Sequence, residues 1–448
     1  MNYKFSAMVF AFLWSIFFLL NTVQAQDLEN MIRVAIWSHQ RNILVSADVE
    51  YEVVNADNNK TLGTFSANEK VTITYSENTF RLNGKKLDTV RIKILKMKSN
   101  NEEFIEVNNK KYRGDMSIHI TAGNGGMTVV NTLPVEEYLY GTIAKEISPN
   151  WPLEAVKAQA VAARTYALYN KNKHQSDGYD VCATTDCQVY GGRESEVPRG
   201  IKAVNDTADQ VILYQGKLIP AYFHSSSGGY TENCENVWGT YLPYLRGVQD
   251  YDQSSPQYTW EKQLTANELE DILSKAGYNI GPIKAIRLSP LKAQPVSADD
   301  RGVSGRVKSI EFIGGNGSIQ LTGEKMRKIF SLKSSLFDVK IIVPVPKSIE
   351  FKISDGVGNY DNKKVEINLP PRREKDYFSD KEGLHRINGR PNEMIVISGY
   401  GWGHGIGLSQ WGAKAMAERG PQNDPTYFKE ILKHYYQGVD VKKLPKGV

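Results

Sequence analysis

The chain has 448 residues, with 55 Lys and Arg against 50 Asp and Glu for a net charge of +5, and it is 41% hydrophobic and 10% aromatic. That composition excludes a disordered or collagen-like chain, the lack of any repeating period excludes a solenoid, and the apolar residues suffice for one large core or a few smaller ones. The charges are mixed along the chain rather than gathered into stripes, which gives no case for nucleic acid as a partner, and three Cys cannot staple a framework this large.

In chain order, residues 1–25 read as an export signal. Lys4 supplies the n-region, Phe5 to Leu20 is almost wholly apolar, and Val23-Gln24-Ala25 ends in the small-x-small pattern cleaved before Gln26. The apolar run is short for a bilayer-crossing helix, which needs about 20 residues, and no other stretch is long enough to span. The expectation is an exported protein of the periplasm, cell envelope or exterior, with no transmembrane span once the signal is removed.

Residues 26–120 predict a β-rich part: IRVAIW, KVTITY, TVRIKILKM and SIHITAG alternate apolar and polar residues between Asn, Gly and Lys turns. At Thr132 the period changes. PVEEYLYGTIAKE predicts a helix ending at Glu146, with Pro134 at its first position and Glu136 and Glu137 in the first turn, where the dipole favours carboxylates. SPNWP interrupts, and an Ala-rich helix is predicted over 152–170, with Leu153, Val156, Ala160, Ala163 and Ala167 at helical spacing. Lys157 and Arg164 project together from another of its faces.

Strands return at VILYQGKLIPAYFHSSSGGYT, and helices are predicted near 266–276 and 323–330 among further strands that complete a core region over 121–345. Residues 346–394 are polar, with PPRREKDYFSDKEG near their centre, and predict an insertion or flap. Residues 395–448 hold a Gly-rich loop, a helix closed by Gly420 and a last helix over 426–437 stopped by Gly438.

Three segments are too specialised to be scaffold alone: TIAKEISPNWPLEAVKAQAVAARTYAL, CATTDCQVYGG with FHSSSGGYTENCENVWG, and GYGWGHGIGLSQWGA. Together and in this order they resemble the SpoIID/LytB family (stage II sporulation protein D / amidase enhancer), over about Ile32 to Gly438 apart from the polar insertion. The resemblance implies peptidoglycan glycan strands as substrate and, for the enzymatic branch, lytic transglycosylase activity on strands whose stem peptides have been removed. For the non-catalytic branch it implies a glycan-binding enhancer of a cell-wall amidase, which would then be a partner.

The family motif places its catalytic Glu at Glu146, and the chemistry of that residue is compatible with the role. A lytic transglycosylase needs one carboxyl group that protonates the glycosidic oxygen and then accepts the proton of the muramic acid C6 hydroxyl, closing a 1,6-anhydro ring. No water nucleophile is used, so no second carboxylate is needed; Glu136 and Glu137 would lie ~13–15 Å away along a continuous helix. A helix C-terminus and burial beside Trp151 would both raise the carboxyl pKa, and the start of the next helix would oppose them. The alternative is a solvated Glu closing a helix and paired with Lys145 or Lys157. Lys157, Gln159 and Arg164 match the motif KAQAVAARTYA, with Lys157 or Arg164 expected to contact Glu146 or bind sugar; otherwise they form a basic face whose alkyl stems cover the core.

His174, Cys182 and Cys187 form H-x7-C-x4-C, followed at once by Gln188 and Tyr190. These ligands suit a structural zinc, with Asp186, Cys234, His224 or water as the fourth; the alternative is a Cys182–Cys187 disulfide with Cys234 left over. No cofactor is required for the chemistry. His224, Ser225, Ser226 and Ser227 stand before a double Gly, where Ser and His invite a hydrolase reading, but the G-x-S-x-G elbow is absent and no Asp partner is indicated. In GWGHGIGLSQWGA the glycines permit close backbone approach to a ligand, Trp402 and Trp411 can stack on sugar rings, and His404, Ser409 and Gln410 are the polar candidates. The alternative is a loop that only packs.

The fold class expected is α+β with two lobes, a β-rich part and an Ala-rich helical part, flanking a substrate groove. Glu146, Gln188, Tyr190, His224, Ser226, Thr231, His404 and Gln410 are expected to line it.

Overall fold

The computed structural model describes residues 30–97, 102–121, 125–296, 298–343, 348–354, 356–357, 360–366, 380, 382–390 and 392–444. The expected signal segment, 1–25, and the centre of the polar insertion, 367–379, lie outside the described residues. The fold is α+β, as the alternation of periods predicts, and the chain forms two compact units. One runs to Tyr222 and takes back Met416 onward; the other is Phe223–Ala415.

In the first unit, a seven-stranded sheet has the order Val181–Cys182, Met31–Gln40, Met127–Pro134, Asp115–Ile120, Arg91–Lys96, Tyr51–Asn55, Thr61–Phe65. A six-stranded sheet is built around Asn42–Ala47 and Val71–Ser76. Alternation does the work expected of it: along VTITYS, Val71, Ile73 and Tyr75 are buried, and the intervening Thr72, Thr74 and Ser76 are only partly so. The division expected near residue 120 is not a boundary. Met127–Pro134 pairs with both Met31–Gln40 and Asp115–Ile120, so the change of period marks a strand handing over to a helix inside one unit.

That helix, α1, is Val135–Glu146, with Pro134 as its N-cap residue rather than its first helical position. A second, α2, is Leu153–Tyr169, and a third, α3, is Pro198–Asp206. Every residue of α2 from Ala155 to Ala167 is buried. The Ala content explains this, because small side chains on all faces let α1, α3, the strand Gln210–Tyr214 and the C-terminal helix Phe428–Tyr435 approach together.

In the second unit, a four-stranded sheet has the order Gly317–Thr322, Ser309–Gly314, Ile283–Arg287, Leu384–Arg386, and a three-stranded sheet places Met394–Tyr400 between Thr259–Leu264 and Phe337–Ile342. Their core includes Ile286, Ile310, Phe312, Phe330, Phe337 and Ile397. The helix Ala266–Lys275 begins at a capping box in which Thr265 and Glu268 each accept from the other's backbone amide. Within the polar stretch 346–394, read as an insertion or flap, several described segments form strands. Ser348–Ser354 pairs antiparallel with Tyr360–Glu366, and Leu384–Arg386 joins the four-stranded sheet on Ile283–Arg287, because a strand needs only a short alternating run to complete an existing edge. No helix among the described residues is long and apolar enough to cross a membrane.

Candidate functional site

Glu146 is the last residue of α1. Its Oε1 accepts from the backbone N–H of Val189 at 2.9 Å, and no other hydrogen bond reaches it among the described residues. Burial pushes the carboxyl above its ordinary pKa, and the Val189 amide opposes this. The chain around Val189 is anchored on both sides. Gln188, 1% exposed, accepts from the Tyr138 hydroxyl at 3.0 Å and donates to the Ala163 carbonyl at 3.3 Å. The Tyr190 hydroxyl donates to Asn131 Oδ1 at 2.9 Å, its ring lies 5.2 Å from that of Tyr138, and the Gly191 amide donates to the Gly141 carbonyl at 3.0 Å. Gln188 and Tyr190, expected to face a ligand, are instead buried braces that hold Val189 against Glu146.

Neither Lys157 nor Arg164 contacts Glu146, one of the two roles expected of them. The Arg164 guanidinium, 1% exposed, clamps Glu136 with two bonds of 2.6 and 2.7 Å and donates to the Val204 and Gln210 carbonyls. Lys157 bonds Glu154 at 2.8 Å and the Pro425 carbonyl at 3.0 Å, with Asp206 at 3.5 Å. The helix is buried all round, so its bases answer internal acids and carbonyls. Lys157 also lines a cleft of about 750 Å³ with Arg199, Lys202 and Asp424. Gln159 is fully buried within α2. Glu136 is thereby occupied, and Glu146 stands without a second carboxylate partner among the described residues.

His174, Cys182, Asp186 and Cys187 bring four ligand atoms within 4.8 Å of one another. His174 Nε2 lies 3.6 Å from both Cys187 Sγ and Asp186 Oδ2, and Asp186 Oδ2 lies 3.9 Å from Cys182 Sγ. Two thiols, an imidazole and a carboxylate at such separations could hold one tetrahedral zinc. Both cysteines are free thiols, and the hydrogen bond from Cys187 pulls the Cys182 thiol down to about 5 while Cys187 is pushed up. Lys173 binds Asp186 at 3.0 Å. Asp186 is the fourth member of this cluster; Cys234 and His224 belong to the second unit and are not members of it.

In the second unit, Phe223–His224 pairs in parallel with Leu408–Ser409, bringing the Ser-rich and Gly-rich segments together. His404 is tied at both ring nitrogens: Nδ1 accepts from the Ile406 amide at 3.0 Å, so Nε2 carries the proton toward the Phe223 carbonyl, also at 3.0 Å. Burial, then Arg327 and Arg306, drive its pKa down to about 3. The ring of His224 lies 5.3 Å from that of His404, and burial pushes His224 well below its ordinary range too. Both are neutral imidazoles at physiological pH.

Ser226 does have an Asp partner, which its sequence neighbourhood does not indicate. Its hydroxyl donates to Asp252 Oδ2 at 2.5 Å, and the same carboxylate accepts from the Gly228 and Gly229 amides. A Ser–His–Asp relay needs the His between them, and here the Asp holds the Ser directly, so the arrangement braces a turn rather than activating a nucleophile. Thr231 exchanges two hydrogen bonds with the Val248 backbone and is fully buried. Ser409, also buried, accepts from the Gly412 amide at 3.3 Å, and Gln410, 8% exposed, opens the helix Gln410–Arg419. Trp402 differs from these: it is 44% exposed, with Lys333 Nζ 5.3 Å from its ring centroid. The Gly-rich loop closes against protein rather than opening to a ligand at Gly405, whose φ is +83° and where a Cβ would lie 2.1 Å from Arg306 Cζ.

Residues 123–214 match a family described as stage II sporulation protein, and residues 232–358 match a domain of unknown function. An uncharacterized protein of Brachyspira hyodysenteriae is 31% identical over 94% of this chain and 95% of its own length. The amidase enhancer of Bacillus subtilis is 30% identical over 80% of this chain, and the chain spans 49% of that relative. The stage II sporulation protein D of Bacillus amyloliquefaciens is 28% identical, covering 70% of this chain and 76% of the relative.

Proposed function

The chain belongs to the SpoIID/LytB family, and from that premise we propose that it is an exported peptidoglycan lytic transglycosylase in which Glu146 is the general acid and then the general base. The observation that carries this reading is the state of Glu146: a carboxyl raised by burial, steadied through one oxygen, and in no ion pair among the described residues. A carboxyl that keeps its proton to higher pH than an ordinary one is what protonation of the departing glycosidic oxygen calls for. Once ionised, the same group takes the C6 hydroxyl proton as the anhydro ring closes, so a lone carboxyl completes the cycle.

A zinc on His174, Cys182, Asp186 and Cys187 would supply bracing rather than chemistry. Cys187 directly precedes Gln188, so fixing it also fixes the segment that presents the Val189 amide to Glu146. Trp402 would offer its exposed face to a sugar ring.

The relative named amidase enhancer favours a second reading, in which the chain binds glycan without cleaving it and stimulates a cell-wall amidase. Digestion of peptide-stripped glycan strands separates the two. The enzyme gives 1,6-anhydro-muramic acid ends by mass spectrometry and loses them in Glu146→Gln, whereas the enhancer gives none and accelerates an added amidase. Reducing ends would point instead to hydrolysis.

A further inference from the structure

Within the second unit, Trp238, Asn236, Lys308, Glu324 and Ser335 line a pocket of about 400 Å³, all inside the segment matched by the domain of unknown function. That volume lies near the small end of ligand pockets, ~300–1,000 Å³, and suits one ring rather than a length of polymer.

The charges of its walls are unequal in commitment. Glu235 is held by Arg246 through two bonds of 2.7 and 2.8 Å, and Oε2 of Glu324 is held by Arg327 at 3.2 Å. Lys308, half-buried, makes no hydrogen bond or ion pair through its ammonium among the described residues. Each acid carries its own cation, and the pocket presents one unanswered positive charge. Glu324 Oε1 is buried with no partner, an acceptor that a ligand hydroxyl or amide N–H would satisfy. Asn236 gives its Nδ2 to Glu232 at 2.8 Å and keeps Oδ1 as a further acceptor. Trp238, 41% exposed, packs its indole 4.9 Å from the His404 ring and supplies a flat apolar wall.

A flat wall, acceptors and one cation describe a pyranose bearing a single carboxylate. Resting on the reading of the chain as a glycan-strand enzyme, we infer that this pocket takes a muramic acid residue, with Lys308 pairing the lactyl carboxylate that is free only where the stem peptide has been removed. The pocket is then a reader of peptide-stripped strands. A phosphate would call for more than one donor cation, and a neutral N-acetylglucosamine would leave Lys308 unanswered.

The test is a ligand-observed NMR titration of the full chain with N-acetylmuramic acid, N-acetylglucosamine and D-lactate. N-acetylmuramic acid is expected to bind about fivefold or more tighter than either of the others, the scale of one charge-assisted hydrogen bond. Lys308→Gln should bring it down to the level of N-acetylglucosamine, while Trp238→Ala should weaken both sugars alike. Lys308 makes no internal bond, so its variant should unfold with the wild type. A preference that survives Lys308→Gln, or D-lactate binding as well as N-acetylmuramic acid, overturns the inference. Anhydro products formed without any Lys308-dependent preference overturn this pocket alone; the preference without anhydro products overturns the lytic reading alone.

Discussion

The backbone amide of Val189 donates to Oε1 of Glu146 at 2.9 Å, while Oε2 takes no hydrogen bond among the described residues. One oxygen is therefore fixed and the other is available to carry the proton. The partner is a main-chain N–H, which cannot take up or lose a proton itself, so it orients the carboxyl without competing for the proton to be delivered.

Glu146→Gln tests this directly. The Gln amide keeps an oxygen for Val189, so fold and glycan binding should be unchanged, while anhydro-product formation should fall by about 100-fold or more, the usual loss when a general acid is removed. Single-turnover digestion of stripped strands followed by mass spectrometry gives the rate. Activity within about tenfold of wild type would exclude Glu146 as the acid.

The raised carboxyl also has a signature in stability. A folded-state pKa above the unfolded one means the folded protein binds the extra proton, so this group's contribution declines as pH rises from the ordinary carboxyl range through the raised pKa. Above that raised pKa the wild type carries a poorly solvated charge that Glu146→Gln lacks. The variant should melt higher than wild type at pH 7, and the difference should shrink as pH falls toward 4. Calorimetry at both pH values decides it, and a variant that melts lower at pH 7 would contradict the burial argument.

Arg164 was legible as a motif residue but not as what it is. Helical spacing gives the face a side chain leaves from, not what packs there, and an Ala-rich helix buried on every face turns each of its bases inward. The Val189 amide could not be found at all, because a backbone donor has no residue identity to recognise. Asp252 was hidden similarly: the turn that brings it to Ser226 has no spacing signature. That His174, Cys182 and Cys187 come together was legible because their spacing is short and local, whereas Glu146 was singled out only through the family motif. The strands were legible from alternation, whereas the unit boundary at Tyr222 falls within a run that reads as continuous strand.

If Arg164 is internal, its partner is a stability determinant and not a binding residue. Glu136→Ala leaves a guanidinium that is 1% exposed without its counter-charge, at a cost on the order of 3–5 kcal/mol. Melting temperature should drop accordingly, while turnover per folded molecule should not change. Loss of turnover at unchanged stability would return Arg164 to the substrate.

Metal analysis should find about one zinc per chain, bound by His174, Cys182, Asp186 and Cys187. Cys182→Ser combined with Cys187→Ser should lose the metal and lower the melting temperature, since structural zinc contributes directly to folding. The substrate rate should fall too, through the Val189 segment, but pH dependence should keep its form because the acid is unaltered. A Cys182–Cys187 disulfide in active, metal-free protein would refute the assignment.

Trp402 and Gly405 lie in one loop and should nevertheless respond in opposite ways. Gly405 combines a φ of +83° with a Cβ position 2.1 Å from the guanidinium carbon of Arg306. That guanidinium cannot swing aside, because it is 1% exposed and bonded to the Ser227 and Tyr230 carbonyls and the Ser304 hydroxyl. Gly405→Ala therefore carries both a backbone penalty of about 1–3 kcal/mol and a steric one, and should lower melting temperature with any loss of activity following the loss of folded protein. Trp402 is 44% exposed and its ring meets only the Lys333 ammonium at 5.3 Å among the cation contacts of the described residues. Trp402→Ala should change stability by no more than about 0.5 kcal/mol, the range for surface positions, yet weaken strand binding by about 1 kcal/mol if its free face carries a sugar. Measuring thermal unfolding and glycan affinity on both variants separates packing from binding residue by residue. Unchanged affinity in Trp402→Ala would leave the loop with its packing role alone.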